Sequence, residues 1–356
     1  MKRHAIIPIF IPHRGCPNDC VFCNQKKITA SSGPVNAEDV RSKIDLWLTT
    51  LKDRPGLETV EIAFYGGSFT GIPMEEQTAF LEIAKEYKER GLVQKLHLST
   101  RPDYIDEEIL DNLKRLSVDV IELGVQSFDP KVLEASKRGH NIEVVERSAR
   151  MIKEYGFTLG IQLMIGLPED SYESCIHSAK KAVELQPDIA RLYPTVIIRD
   201  TELYDMWERG DHIPPNQEEI IRRTAHMYKI LTEAGVNVIR VGLKSSDLIN
   251  DDVDAAGGTY HPAVKQLVCG FLARESLEAQ LHRILERSVA SEAADRRSGG
   301  CRKVSFYANG SSMSEMIGWQ GENKKYFTEN YPQFSLRFEK DDSLADGQYV
   351  CREKEL

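Results

Sequence analysis

The stretch GCPNDCVFC at residues 15–23 places three cysteines, Cys16, Cys20 and Cys23, within eight positions. An apolar run at residues 5–12, which the pattern predicts as a β-strand, comes directly before it. Three thiolates in one short loop can hold three irons of a cubane iron–sulfur cluster and leave the fourth iron open. The spacing therefore predicts a metal centre at the end of the first strand.

A structural zinc site is the alternative for the same triplet. Zinc normally takes four protein ligands, and no Cys or His follows at the spacing of a zinc finger. His13 is the only near candidate for a fourth ligand. A second cluster built from Cys269, Cys301 and Cys351 is conceivable, although no C-x-x-C spacing supports it.

The composition limits the class of protein. Of the 356 residues, 41% are hydrophobic and 28% are charged, which indicates a globular chain. No apolar run reaches the length of roughly 18 residues that a membrane-spanning helix needs, and the first residues contain no secretory cleavage site. Seven cysteines, an odd number, are not typical of a disulfide scaffold, so we expect a reducing, cytoplasmic location.

Outward from the triplet, short β-rich runs alternate with helix-period segments. Strands are predicted at residues 5–12, 59–65, 96–99, 120–125, 158–165 and 189–196, with a possible seventh at 237–240. Each of the first six is followed by a predicted helix, which indicates repeated βα units with parallel strands. Right-handed crossovers would curl them into a partial TIM-type (β/α)6 barrel, and a doubly wound open sheet is the competing arrangement.

Three segments are predicted along the chain. Residues 1–240 form the barrel, residues 241–300 a helical extension and linker, and residues 301–356 a small α+β module. In the module, Gly318 and Gly321 stand between two predicted helices, an arrangement that resembles the KH fold, whose loop clamps nucleic-acid backbone. Lys324 and Lys325 follow the loop and would add positive charge. The alternative is a barrel cap or a dimer contact, since residues 301–356 hold eight basic and nine acidic residues.

Polar and glycine residues mark the ends of several predicted strands. Paired glycines, Gly66 and Gly67, allow a ligand to approach the backbone closely. Gln126 directly follows the apolar fourth strand, and Gln162 is a polar residue inside the apolar fifth strand. Because a buried polar group must find a partner, an inward-facing Gln162 would meet a cofactor.

The triplet, with Phe22 before its last cysteine, matches the signature of radical S-adenosylmethionine (SAM) enzymes. The resemblance implies a [4Fe-4S] cluster whose open iron binds the amino and carboxylate groups of SAM. Reduction by an external donor such as flavodoxin or ferredoxin would then split SAM into methionine and a 5′-deoxyadenosyl radical, which takes a hydrogen atom from the substrate.

Further motifs extend this resemblance and imply SAM contacts. The sequence YGGSF at 65–69 resembles the family motif that holds the methionine amino group, and TRPD at 100–103 resembles the catalytic subunit of the Elongator complex. ELGVQSFD at 122–129 and RGH at 138–140 resemble both that subunit and oxygen-independent coproporphyrinogen oxidase, in which the Arg reaches the SAM carboxylate. The implied cofactor-binding residues are Phe22, Gly66, Gly67, Ser68, Phe69, Thr100, Gln126, Arg138 and Gln162; at the last of these the oxidase family has an acid.

The Elongator-like resemblance covers roughly residues 5–240 and implies tRNA as a possible substrate. Residues 1–30 contain one acidic residue, Asp19, and five basic residues, which are Lys2, Arg3, Arg14, Lys26 and Lys27. This local positive charge favours RNA binding, whereas the net charge of −9 for the whole chain does not. We expect no acetyl transfer by this chain alone, because 56 residues after Gly300 are too few for the acetyltransferase domain of the Elongator subunit. Porphyrinogen decarboxylation or haem handling, and a non-catalytic iron–sulfur protein, are the alternatives.

Overall fold

The computed structural model describes residues 4–11, 20–24, 35–243, 255–258, 260–292 and 302–353. The chain divides into two compact units. The first comprises Met1–Ile220 with Ile230–Pro262, and the second comprises Ile221–Lys229 with Ala263–Leu356.

A seven-stranded sheet forms the centre of the first unit. Its strands are β1 (His4–Ile11), β2 (Thr59–Gly66), β3 (Lys95–Thr100), β4 (Val120–Gln126), β5 (Thr158–Ile165), β6 (Ile189–Pro194) and β8 (Asn237–Val241). All neighbours are parallel, and their order across the sheet follows their order in the chain. A doubly wound sheet would reverse direction at a switch point, so the partial barrel is confirmed. The possible seventh strand is present and extends the predicted (β/α)6 unit.

Eight helices of the described chain precede β8. They are α1 (Ala37–Leu51), α2 (Met74–Glu89), α3 (Glu107–Arg115), α4 (Pro130–Ala135), α5 (Ile142–Glu154), α6 (Tyr172–Glu184), α7 (Glu202–Glu208) and α8 (Gln217–Glu233). Side-chain caps begin several of them; for example, Asp106 accepts from the Ile109 amide and Asn141 from the Val144 amide. The sequence pattern missed α4 and α7, because each has fewer than eight residues and shows too little periodicity.

Strand β4 is buried on both faces of the sheet, as parallel strands usually are. All seven residues of β4 are buried, including Glu122 and Gln126. Pairing of β4 with β5 is regular up to Gly124 and then shifts register before Gln126. This irregularity lies at the carboxyl end of the strand, where parallel α/β barrels carry their ligand sites.

A small antiparallel ribbon follows β6. It pairs β7 (Val196–Ile198) with β9 (Ala255–Gly258). The sequence predicted one strand over residues 189–196, whereas the structure ends β6 at Pro194 and begins the separate strand β7 at Val196. Pro194 lacks the amide hydrogen that a continuing ladder needs, so β6 ends there.

The second unit contains a three-stranded sheet and three helices among its described residues after 262. The strands are β10 (Arg302–Ala308), β11 (Phe334–Lys340) and β12 (Val350–Glu353), and the helices are α9 (Val264–Glu292), α10 (Met313–Ile317) and α11 (Glu322–Asn330). Strand β10 lies in the centre, parallel to β11 and antiparallel to β12. The four-residue β12 was not predicted, because it is too short for an alternating pattern.

One apolar cluster joins α9 to this sheet. Leu277 and Leu281 of α9 pack in the same core as Phe306 of β10 and Phe327 of α11. The helix assigned by sequence to an extension therefore shares its core with the C-terminal module. The predicted boundaries at residues 240 and 300 remain a prediction. Across the described part of the chain, no helix combines the length and apolarity required to cross a bilayer.

Candidate cofactor site

An open cavity of about 230 Å³ lies at the carboxyl ends of the barrel strands. Most of the predicted site residues meet there. Its lining includes Cys20, Phe22, Cys23, Gly66, Gly67, Ser68, Thr100, Gln126, Arg138 and Gln162. Phe69 does not line it: its ring packs 4.9 Å from that of Phe64 in the core. Cys16, His13 and the basic residues of positions 1–30 lie outside the described residues.

The described part of the cysteine loop is held by segments far along the chain. The Val21 amide donates to the Ser136 carbonyl at 3.3 Å, and the Leu203 amide donates to the Val21 carbonyl at 2.7 Å. The Val21 side chain is buried against Ile197 and Leu203. These contacts place Cys20 and Cys23 at the cavity wall, with the Cys23 amide donating to the Cys20 carbonyl at 2.9 Å.

Gly66 allows the ends of β1 and β2 to approach each other closely. Its φ is +121°, and a Cβ at this position would lie 2.2 Å from the Ile11 carbonyl oxygen. The Gly67 amide donates to the same oxygen at 3.2 Å. A side chain at position 66 is therefore excluded by both backbone conformation and space.

A hydroxyl cluster connects the turn after β2 to the end of β3. Thr100 Oγ1 lies 2.7 Å from Ser68 Oγ and 2.6 Å from Thr70 Oγ1. Ser68 Oγ also accepts from the Arg101 amide at 3.2 Å. Thr100 and Ser68 thus hold two strand-end turns together at the cavity wall.

Gln126 has a backbone conformation that is unusual for its residue type. Its φ is +73°, at the register shift that ends β4. The residue is 8% exposed, and its Oε1 atom has no hydrogen-bond partner among the residues that the structure describes. Strained residues and unsatisfied buried polar atoms concentrate at ligand sites. Ser127, which follows, turns instead towards Ser178, with 3.2 Å between the two hydroxyl oxygens.

Arg138 is the buried cation nearest to the cysteine loop among the contacts described. The residue is 6% exposed; its Nη1 donates to Cys20 Sγ at 3.2 Å, and its Nη2 donates to the Gly124 carbonyl. His140 lies beside it, and burial together with Arg138 and Arg101 lowers the pKa of this imidazole to about 3. His140 is therefore neutral near pH 7. Arg101, also at the cavity, directs Nε and Nη2 to the Asp103 carboxylate, both at 2.9 Å.

A network of buried charges lies deeper inside the barrel. His97 Nδ1 is 2.5 Å from Glu61 Oε1, and His97 Nε2 is 2.9 Å from Glu122 Oε2. Arg191 Nε is 2.7 Å from Glu122 Oε1. Burial opposes charge on His97, but Glu122 and Glu61 hold its pKa above the ordinary value. Burial likewise opposes charge on Glu122, but Arg191 and His97 hold its pKa below the ordinary value.

Two groups connect this network to the cavity. Arg191 donates to the hydroxyls of Tyr65 and Tyr193, at 2.6 and 3.3 Å, and Tyr193 lines the cavity. Gln162 also lines the cavity, and its hydrogen bond to Glu122 helps to lower the pKa of that carboxyl. The network was not predicted from the sequence, although charged residues inside apolar strands were a usable signal. Met164, two residues after Gln162 on the same face of β5, also lines the cavity and was not predicted.

The glycine loop of the C-terminal module is shaped by packing within that module. Gly318 has φ +82°, and a Cβ there would lie 2.8 Å from the Asn323 amide nitrogen. Asn323 is buried, and its Nδ2 donates to the Gly270 carbonyl at 2.8 Å. Gly321 has open space around it, and Lys324 and Lys325 are exposed.

The residues at the cavity fit a [4Fe-4S] cluster with bound SAM. Two thiols of the triplet lie at the wall, and Gly66 and Gly67 leave the backbone accessible. A buried guanidinium and an unpartnered amide oxygen supply contacts for a charged, polar ligand. Thiolates suit iron–sulfur clusters, and Arg suits a carboxylate.

Comparison with known families and proteins agrees with this geometry. Residues 10–182 match the family model described as the Radical SAM superfamily, and residues 187–285 match the Radical_SAM C-terminal domain. The tRNA uridine(34) acetyltransferase of Methanocaldococcus infernus is 27% identical over 264 residues, which cover 64% of this chain and 49% of that protein. Elongator complex protein 3 of Homo sapiens is 26% identical over 289 residues, which cover 67% of this chain and 53% of that protein. The chain thus spans about half the length of these two relatives.

A solved structure shows the same fold. The archaeal Methanocaldococcus infernus Elp3 with an N-terminal deletion superposes with a TM-score of 0.62 at 22% sequence identity. The superposition covers 78% of this chain and 64% of that chain. At this level of identity the likeness concerns the fold.

Proposed function

We propose a reaction for this chain on the premise that it belongs to the radical SAM superfamily. It is an enzyme of that superfamily, and its cofactors are a [4Fe-4S] cluster and SAM. When bound, these cofactors supply a 5′-deoxyadenosyl radical, formed together with methionine by one-electron reduction of SAM, and the radical takes a hydrogen atom from the substrate.

The chain's own residues bind and orient the cofactors in this proposal. Cys16, Cys20 and Cys23 hold three irons, and the backbone at Gly66 and Gly67 receives the SAM amino group. Arg138 pairs with the SAM carboxylate, since a guanidinium matches two carboxylate oxygens. The convergence of Cys20, Cys23, Gly66 and Arg138 on one cavity is the observation that carries the proposal.

The remaining predicted residues take supporting roles. Gln126 offers its unpartnered Oε1 to a SAM hydroxyl or amino group, and Gln162 faces the same cavity while it bonds Glu122. Phe22 lines the wall beside the cysteines. Ser68 and Thr100 line the cavity as well and can contact the cofactor, while the hydrogen bond between their hydroxyls holds the strand-end turns together. Phe69 supports the turn after β2 from the core, where it packs against Phe64.

The cofactor chemistry is tested by reductive cleavage. Anaerobically reconstituted protein should hold about four irons per chain and, with dithionite and SAM, release 5′-deoxyadenosine that mass spectrometry detects. Replacing Cys16, Cys20 and Cys23 together by Ala should abolish both results. Cys175→Ala is the matched control, since this buried cysteine lies outside the cavity lining. Stable zinc at one atom per chain, or a reduced cluster that binds SAM without cleaving it, would contradict the proposal.

For the substrate we propose tRNA, acted on in the cytoplasm with flavodoxin or ferredoxin as electron donor. Support comes from the name of the archaeal relative, a tRNA uridine(34) acetyltransferase, and from the glycine loop with its exposed lysines. In this proposal Gly318 and Gly321 shape the loop, and Lys324 and Lys325 contact phosphates.

Gel shifts with bulk tRNA at two salt concentrations test the RNA proposal. Wild-type binding should weaken at the higher salt concentration, and Lys324→Glu/Lys325→Glu should weaken it further. Lys131→Glu/Lys180→Glu is the control, because it makes the same charge change at exposed positions of the barrel unit. Equal loss in both double variants would show a general charge effect and remove the loop from the proposed interface. No binding by wild type would leave the module as a cap.

A further inference from the structure

We propose that Arg138 raises the reduction potential of the cluster by donating a hydrogen bond to the sulfur of Cys20. This inference rests on the proposed function, in which Cys20 is an iron ligand. The observation behind it is the 3.2 Å contact between Arg138 Nη1 and Cys20 Sγ, which joins residues 118 positions apart. It is a role distinct from pairing with the SAM carboxylate.

The backbone supports this contact from the Arg138 side. The Val21 amide donates to the Ser136 carbonyl, so the turn that carries Arg138 is bonded to the cysteine loop directly. Lys137 and Gly139, on either side of Arg138, have φ of 53° and 75°. Positive φ angles on both sides of Arg138 make a tight turn, and this turn sets the position of the Arg138 side chain.

Strand β4 holds the guanidinium from the other side. Arg138 Nη2 donates to the Gly124 carbonyl, and a Cβ at Gly124 would lie 3.4 Å from the same nitrogen. That distance is ordinary van der Waals contact, so it is the Gly124 carbonyl, through its hydrogen bond, that holds the guanidinium. The cation is held between β4 and the cysteine loop, and is not a surface side chain that happens to touch a sulfur.

The sign of the effect follows from electrostatics. Reduction adds one electron to the cluster, taken from the reductant, and no covalent bond forms or breaks. A buried positive donor at a ligand sulfur stabilises the more negative, reduced form, because charges interact strongly where water is excluded. Hydrogen bonds to the sulfurs are one of the known influences on cluster potentials. Arg138 should therefore make the cluster easier to reduce.

Arg101 provides a matched control within the same cavity. It is also a buried arginine of the lining, but two of its donors go to the Asp103 carboxylate, which offsets its charge. Its described contacts do not include a cysteine sulfur. Removal of Arg101 changes the formal charge as much as removal of Arg138 and keeps the contact between Arg138 and Cys20.

The midpoint potential of the reconstituted cluster, measured by spectroelectrochemistry in the absence of SAM, tests the inference. Omitting SAM ensures that weaker SAM binding by a variant cannot affect the result. We expect Arg138→Met to disfavour reduction about tenfold, which is about 59 mV for one electron. Arg138→Gln should lower the potential by a smaller amount, because its amide can still donate. Arg101→Met, which removes a charge but keeps the contact between Arg138 and Cys20, should also lower it by less than Arg138→Met does.

A full cluster with wild-type potential in both Arg138 variants would overturn the inference and leave the proposed function intact. Failure of wild type to take up a cluster would instead refute the proposed function. If neither variant takes up a cluster, wild-type protein labelled with ¹⁵N-arginine tests whether Arg138 is bonded to a cluster ligand. Pulsed electron paramagnetic resonance of its reduced cluster should show coupling to one guanidinium nitrogen, and this coupling should persist in Arg101→Met. Absence of any ¹⁵N coupling would overturn the inference.

Discussion

The inside of the barrel has two polar levels that are organised in opposite ways. At the deeper level, Glu61, His97, Glu122 and Arg191 each occupy the third position of their strand and are paired with one another. At the strand ends, polar groups face an open cavity, and the Oε1 atom of Gln126 has no partner in the described chain. A buried polar group needs a partner at either level. Where the chain supplies that partner the group maintains the fold, and where it does not the group is available to a ligand.

Residues at the boundary between the two levels belong to both. Gln162 bonds Glu122 below and lines the cavity above. Tyr193 likewise accepts from Arg191 and lines the cavity. The deeper network therefore also sets the position of side chains in the cavity floor. Two kinds of substitution distinguish the levels. A change at the deeper level should lower stability, and a change at the strand ends should lower cofactor binding.

The largest expected effect is at the upper level. Cys20→Ala should abolish cluster binding, because three irons can no longer be held by three thiolates. The free energy of unfolding of the cluster-free protein should change by only about 1 kcal/mol, since the substitution removes a single sulfur atom. Iron analysis and urea unfolding under anaerobic conditions measure the two quantities. Loss of several kcal/mol in the cluster-free protein would place Cys20 among the residues that maintain the fold.

At the deeper level, a substitution should mainly lower the free energy of unfolding. Glu122→Gln should lower the free energy of unfolding by about 3–5 kcal/mol, because it leaves His97 and Arg191 buried without their shared carboxylate. Glu134→Gln, at an exposed position of α4, is the control and should stay within about 0.5 kcal/mol of wild type. Urea unfolding of the cluster-free proteins is the measurement. Equal stability of the two variants would show that the network is not a determinant of the fold.

Stability should also depend on pH through this network, with a definite sign. The pKa of His97 is raised, so its contribution is complete below its ordinary pKa of about 6.5 and is lost as the pH rises through the folded value. The pKa values of Glu61 and Glu122 are lowered, so their contributions are lost only under acidic conditions, below about pH 4.5.

We therefore expect wild type to lose more unfolding free energy than His97→Gln between pH 6 and pH 9. Each unit by which the pKa of His97 is raised corresponds to about 1.4 kcal/mol. Urea unfolding at the two pH values measures the difference. Parallel losses in the two proteins would mean that His97 is neutral in the folded state near pH 6.

The smallest effects are expected at the glycine loop, where the same distinction between internal packing and ligand contact applies. Gly318→Ala should destabilise the protein by about 2 kcal/mol or more, because the new Cβ would meet the Asn323 backbone and the φ of +82° is unfavourable. Gly321→Ala should cost about 1 kcal/mol, since it has open space and only the conformational penalty applies. Thermal unfolding of both variants compares them, and a larger loss for Gly321→Ala would contradict the packing described.

Much of the fold was predictable because its signals are local. Strand patterning placed the seven barrel strands within one or two residues of their observed bounds. The cysteine triplet and the glycine pair predicted which strand ends meet at the site. Short segments such as α4, α7 and β12 were missed, because a few residues cannot show a period. The split of β6 from β7 was also missed, since the pairing of β7 with β9 depends on a segment more than 50 residues away.

Spacing along the chain was enough to predict the resemblance to radical SAM enzymes, the parallel βα order and the iron-binding cysteine triplet. Which polar residues are satisfied internally is visible only in the folded protein. Glu122 is 69 positions from Arg191, and Cys20 is 118 positions from Arg138. Gly318 resembled a nucleic-acid loop in sequence, and its packing against Asn323 became visible only in three dimensions. Partners that meet only after folding leave no periodic trace in the chain, and it is those partners that separate groups maintaining the fold from groups open to a ligand.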